Sequence, residues 1–205
     1  MGRTLIVGAI AFGRHVVGII VRPYETYRHI IDHGESAEFG YLALVLAGFF
    51  ATAATVKTAS FRPFLLTRQF LVLGSATGAT FLLAVSLFWL FGRMFGGSGT
   101  FKGFSLGWAY TLMPTLVWFW MTSLLYVFFP PPRTQQPLGM AFSFVYLFVS
   151  AILLLWKVIL SYLSLRFGLQ LGLGKILGLS AVVLPILVGY SVGMYKLGIF
   201  RIPFI

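Results

Sequence analysis

The sequence predicts an all-α integral membrane protein with five transmembrane helices, preceded by an N-terminal amphipathic helix at the membrane interface. Two observations lead to this fold class. Hydrophobic residues make up 59% of the 205 residues and charged residues only 9%, whereas a soluble domain has about 45–50% and 25%. Apolar runs also recur along the chain, each long enough to cross about 30 Å of hydrocarbon as a helix.

The first 36 residues are predicted to form the interfacial helix and a juxtamembrane segment. On a helical wheel, basic and small polar residues share one sector, and apolar residues occupy the rest. We expect Arg3, Arg14 and Arg22 to contact the headgroups of anionic lipids. The alternative is a sixth span over residues 4–21, which would place an arginine within the membrane at considerable cost.

Residues 37–205 are predicted to form the five-helix transmembrane domain. The spans are placed at residues 37–56, 69–91, 106–127, 140–160 and 176–195. Pro114 and Pro185 lie within the third and fifth spans, so we expect them to kink those helices. With the N-terminus inside, nine basic residues lie on the inner side and six on the outer side, which favours a cytoplasmic N-terminus.

The chemistry-bearing residues are confined to the N-terminal segment. All four acids and all three histidines lie within the first 38 residues, and the chain has no cysteine. Haem and transition metals bound inside a helix bundle require His or Cys ligands, so we expect no cofactor and no metal in the spans. No basic stripe with interleaved aromatic residues is present, which argues against nucleic acid as a partner. We therefore expect no catalytic residues.

Two weaker patterns leave an enzyme or metal site open as an alternative. Glu25, His29 and His33 recur every four residues and would share one helix face, which could hold a metal. The same spacing is typical of a polar face on a juxtamembrane helix, which we favour. Lys157 and Ser161 could form a catalytic dyad, but such a lysine more often extends to the interface and such a serine bonds its own helix.

Small residues four positions apart predict close packing between helices. The pairs are Gly74 with Gly78, Gly168 with Gly172, and Gly189 with Gly193. We expect most of these faces to pack within the domain and some to contact a partner.

The order of these features resembles the Yip1-domain family of small five-span membrane proteins, and in particular its compact bacterial-type members. The matching segments are Arg22-Pro23-Tyr24-Glu25-Thr26-Tyr27, Gly99-Thr100-Phe101-Lys102, Tyr110 with Pro114, and Trp156-Lys157 followed by residues 168 to 175. The resemblance implies a bacterial cytoplasmic (inner) membrane protein without catalytic residues. It also implies an accessory role in membrane transport systems, including ABC-type exporters.

Two functions follow as expectations. The first is a non-enzymatic protein that packs against other integral membrane proteins or itself, as an accessory or scaffold subunit of a transport or trafficking complex. The alternative is a small channel or carrier for a neutral or anionic solute. In that case Arg68 and Lys157, together with the two kinked helices, would form a positive pathway.

Overall fold

The computed structural model describes residues 2–58, 63–128 and 137–199, and the side chains of 7–52, 71–72, 74–125, 137 and 139–199. These residues form helices joined by short turns, and no strand occurs among them. The helices are α1 (Gly2–Val21), α2 (Pro23–His33), α3 (Ala37–Thr58), α4 (Pro63–Met94), α5 (Phe101–Tyr110), α6 (Met113–Phe128), α7 (Pro137–Gly168) and α8 (Leu173–Lys196).

Three helices in the described part of the chain are long and apolar enough to cross a membrane. They are Gly74–Met94 within α4, Gly139–Gly168 within α7, and Leu173–Lys196, which is α8. Shorter apolar stretches occupy Val7–Val21 and Ala37–Thr52. The all-helical class with apolar membrane-length helices is thereby confirmed, while the five-span count and the interfacial position of α1 stay predictions.

The segment predicted as a single third span consists of two helices, α5 and α6. The backbone turns at Thr111 and Leu112, whose amides bond carbonyl oxygens three residues back, and the Thr111 hydroxyl donates to the Trp108 carbonyl oxygen at 2.7 Å. Pro114 lies in the first turn of α6 and has no N–H to continue the helical ladder. The kink expected at Pro114 is therefore a full interruption, and the span predicted over 106–127 consists of two helices.

The short helix α5 lies between two hydrophobic cores. On one side, Leu106 and Tyr110 join a core built from α1, α2, α3, α6 and α7. On the other, Phe104 joins a core built from α4, α7 and α8. Since α5 contributes fully buried side chains to both cores, it connects the two halves of the bundle.

Candidate functional site

Nearly all charged side chains in the described residues gather at one end of the bundle. This charged end consists of α2 with the adjoining parts of α1 and α3, the turn between α4 and α5, and the turn between α7 and α8. Two contacts bring these elements together: Ser98 N–H donates to the Leu169 carbonyl oxygen at 3.2 Å, and the rings of Tyr24 and Phe167 meet at 4.8 Å. The charged end carries Arg14, Arg22, Glu25, Arg28, Asp32, Glu35, Glu38, Arg93, Lys102, Arg166 and Lys175.

Glu38 is the one fully buried acid of the charged end, with 0% of its surface exposed. Its carboxylate accepts a hydrogen bond from His15 Nδ1 at 2.7 Å and another from the Tyr110 hydroxyl. The backbone N–H of Glu35 donates to its second oxygen at 3.0 Å. A buried carboxylate is tolerated only when its lone pairs are satisfied in this way. The cluster therefore joins α1, α3 and α5 at a single group.

The polar cluster continues from His15 along α2. His15 Nε2 lies 3.2 Å from His29 Nδ1, and the rings of His29 and His33 stack with centroids 5.1 Å apart. His15 Nδ1 carries a hydrogen, which it donates to the Glu38 carboxylate. A hydrogen bond between His15 Nε2 and His29 Nδ1 then requires a hydrogen on only one of these two nitrogens, because two hydrogens would point at each other. The arrangement links a buried acid to exposed imidazoles through a single histidine.

A cleft of about 470 Å³ opens beside this cluster between α1 and α2. We call it the histidine cleft; its walls include Arg14, His15, Arg22, His29 and Glu38. Partial desolvation beside the cleft lowers the pKa of His29, and the positive charges of His15, His33 and Arg14 lower it further. The described residues hold no group of three or more His, Cys, Asp or Glu that could bind a metal.

Two of the three residues predicted to contact lipid headgroups lie at the histidine cleft. Arg14 and Arg22 are exposed and line the histidine cleft. Arg22 also pairs with Glu25 at 3.7 Å, with both side chains about three-quarters exposed. The side chain of Arg3 lies outside those described. His15 lies in the same polar sector of the α1 helical wheel as these arginines, but it is buried against Glu38 and not exposed.

The turns of the charged end join backbone to backbone. A Cβ atom on Gly99 would overlap the carbonyl oxygen of Gly168, and a Cβ on Gly168 would lie 2.9 Å from the Cα of Phe104. Thr100 then caps α5, its hydroxyl accepting from Gly103 N–H at 3.2 Å. We call the contact between Gly99 and Gly168 the glycine joint. It exists because only glycine lets these two backbone segments come so close.

A second close approach, at Gly103 and Gly107 of α5, escaped the sequence analysis. A Cβ on Gly103 would lie 2.7 Å from the Ile31 carbonyl oxygen, and one on Gly107 would lie 3.2 Å from Ser164 Oγ. Their spacing is the same small-residue signal that was used elsewhere, so the sequence contained the information. Nothing in the sequence indicated that Tyr110 bonds Glu38, because the two residues are 72 positions apart.

The predicted small-residue pairs differ in what they contact. Gly168 packs against Phe104 of α5 within the domain. A Cβ placed at any of the others would meet nothing within 4 Å. Those open positions are Gly74, Gly78, Gly172, Gly189 and Gly193.

The residues of the predicted solute pathway do not converge in the described structure. Lys157 is half-buried on α7, Pro114 is buried at the start of α6, and Pro185 is exposed within α8. None of the three lines the histidine cleft or the cleft beside Arg166. The side chain of Arg68 lies outside those described. Ser161, the proposed partner of Lys157, donates its hydroxyl to the Lys157 carbonyl oxygen at 2.8 Å.

The Yip1 domain family model matches residues 17–195, from the end of α1 to the end of α8. The chain belongs to the Yip1 domain family. The matched region of this Yip1 domain contains α2, the glycine joint and most of the polar cluster. No curated protein and no solved structure matches the chain.

Proposed function

We propose that this Yip1 domain is a non-enzymatic scaffold or accessory subunit that packs against another integral membrane protein in a transport or trafficking complex, such as an ABC-type exporter. The observation that supports the proposal is the open small-residue faces of α4 and α8. Gly78, Gly189 and Gly193 are exposed, and no neighbouring atom occupies the space above them. In a membrane, such faces allow a second helix to approach closely.

The two open faces lie on helices that already contact each other. The Thr80 hydroxyl of α4 lies 3.3 Å from the hydroxyl of Tyr190 on α8, and Tyr190 directly follows Gly189. The small residues therefore flank a fixed helix pair, which gives a partner a preformed surface. The surface of α7 differs from those of α4 and α8. Only 6% of its apolar stretch is buried, and its exposed surface carries large side chains such as Leu147 and Phe148.

Affinity purification in native nanodiscs tests the proposal. We expect Gly78→Ile and Gly189→Ile to reduce recovery of co-purifying membrane proteins, because the added side chain fills the space a partner helix would use. Ala151→Ile on the exposed face of α7 is the matched control and should leave recovery unchanged. Recovery of a solitary monomer from the unmodified protein, or equal recovery from all variants, would contradict the proposal; a homodimer would identify a second copy as the partner.

We also propose that the charged end faces the cytoplasm of a bacterial inner membrane. Its excess of Arg and Lys supports this orientation through the positive-inside rule. Because the chain has no cysteine, single cysteine substitutions can show on which side of the membrane a residue lies. A membrane-impermeant maleimide applied to intact spheroplasts should label Lys196→Cys and leave Ser98→Cys unlabelled. The reverse labelling pattern would invert the orientation.

A further inference from the structure

A second cleft, of about 500 Å³, lies at the charged end between α2 and the turn that joins α7 to α8. We call it the arginine cleft. Arg28 and Asp32 line it from α2, Arg166 lines it from the end of α7, and Gly172 and Leu173 line it at the start of α8. Tyr24 and Phe167, packed edge to face at 4.8 Å, form its aromatic wall.

The positive charges in the arginine cleft are not neutralised by ion pairs. All four acids of the chain are described, and neither Arg28 nor Arg166 lies within ion-pair distance of one. The Arg166 guanidinium instead donates to the Tyr162 hydroxyl and lies 5.8 Å from the centre of that ring. A neutral partner orients this guanidinium without cancelling its charge, and its remaining N–H groups are available to an anion.

The backbone adds to the positive character of the cleft. Gly172 caps α8 with no side-chain hydrogen bond, and the first turn of α8 has no acidic residue. The amides at the start of this 24-residue helix therefore present partial positive charge toward the cleft. Asp32 is the one opposing charge, so the cleft is positive overall and suits a phosphate group.

The position of the cleft distinguishes a lipid from a soluble phosphate. α7 and α8 are both long and apolar enough to cross a membrane, and the cleft lies where they meet. Leu173 lines the cleft and is 56% exposed, and Leu177, one turn further along α8, is 63% exposed. We propose that the arginine cleft binds the phosphate of an anionic membrane lipid between Arg28 and Arg166, with the acyl chains lying along the exposed leucines of α8.

Lipid retention by the full chain tests this site. The purified protein is exchanged into phosphatidylcholine nanodiscs containing phosphatidylglycerol, and bound phosphatidylglycerol is counted by native mass spectrometry after release. We expect Arg28→Gln with Arg166→Gln to weaken retention at least about tenfold, since each basic residue near an anionic lipid contributes on the order of fivefold. Arg93→Gln with Lys102→Gln is the matched control, because these exposed cations lie at the same end but outside the cleft.

Two further comparisons distinguish a lipid phosphate from inorganic phosphate, and a charge effect within the arginine cleft from a general one. Asp32→Asn should strengthen retention, because it removes the opposing charge, whereas Glu25→Gln outside the arginine cleft should not. Leu177→Asn should weaken retention of phosphatidylglycerol. Inorganic phosphate, added as a competitor, should displace phosphatidylglycerol only weakly, and this variant should not change that competition. Equal losses in the arginine and control variants would overturn the site in favour of diffuse attraction. Full displacement by millimolar inorganic phosphate would overturn the lipid assignment.

Discussion

At the charged end, backbone touches backbone, whereas the apolar half of the bundle relies on side chains. The glycine joint places Gly99 against Gly168, and the carboxylate of Glu38 gathers three donors. Away from that end, single side-chain hydrogen bonds connect α6 and α7, as from Trp118 Nε1 to Ser150 Oγ at 2.9 Å. In a membrane such bonds contribute only about 0.6 kcal/mol each. The charged end therefore fixes the fold, and the apolar half is left open for contacts.

The largest difference between the two regions should follow from adding one methyl group. We expect Gly99→Ala to lower the free energy of unfolding by about 3 kcal/mol or more, because its Cβ overlaps backbone that has no rotamer to change. Gly189→Ala is the control from the open half and should change stability by less than about 1 kcal/mol. Denaturant titration in mixed micelles measures both; equal effects would remove the distinction between the regions.

The second prediction concerns the buried acid. We expect Glu38→Gln to lower the free energy of unfolding by about 2–3 kcal/mol, because an amide replaces an acceptor that serves three donors. Glu25→Gln should cost less than about 0.5 kcal/mol, since its ion pair with Arg22 is exposed. The same micelle titration applies. A loss for Glu38→Gln as small as that for Glu25→Gln would show that the cluster does not hold α1 and α5 together.

The smallest expected effect is a pH dependence confined to the charged end. The pKa of His29 is lowered by partial desolvation and by the charges of His15, His33 and Arg14, with Glu38 opposing them. The unfolded chain therefore takes up this proton first, so the free energy of unfolding should fall as the pH drops below about 6.5. His29→Gln should reduce this slope. An unchanged slope between pH 7 and pH 5 would assign the dependence to other groups.

Composition and apolar periodicity were enough to predict the helical membrane class, because both depend on residues close in sequence. Pro114 predicted a kink in this region, but the full interruption at Thr111 and Leu112 was not predicted, since apolar residues continue across it. The contact of Glu38 with Tyr110 depends on how distant helices pack, which no local pattern encodes. The small-residue spacing could not distinguish Gly168, which is packed, from Gly189, where a Cβ would meet no neighbouring atom.

The interruption between α5 and α6 also divides how the third hydrophobic segment is held in place. α5 is fixed at both cores through Phe104 and Tyr110, whereas α6 beyond the turn lies beside α3 and α7. Pro114 has no N–H to donate to the Tyr110 carbonyl oxygen. The backbone hydrogen bond that would continue the helix is therefore missing at this step. The third hydrophobic segment is thus held differently on the two sides of the turn: α5 is fixed between the two cores, whereas α6 depends on side-chain packing against α3 and α7.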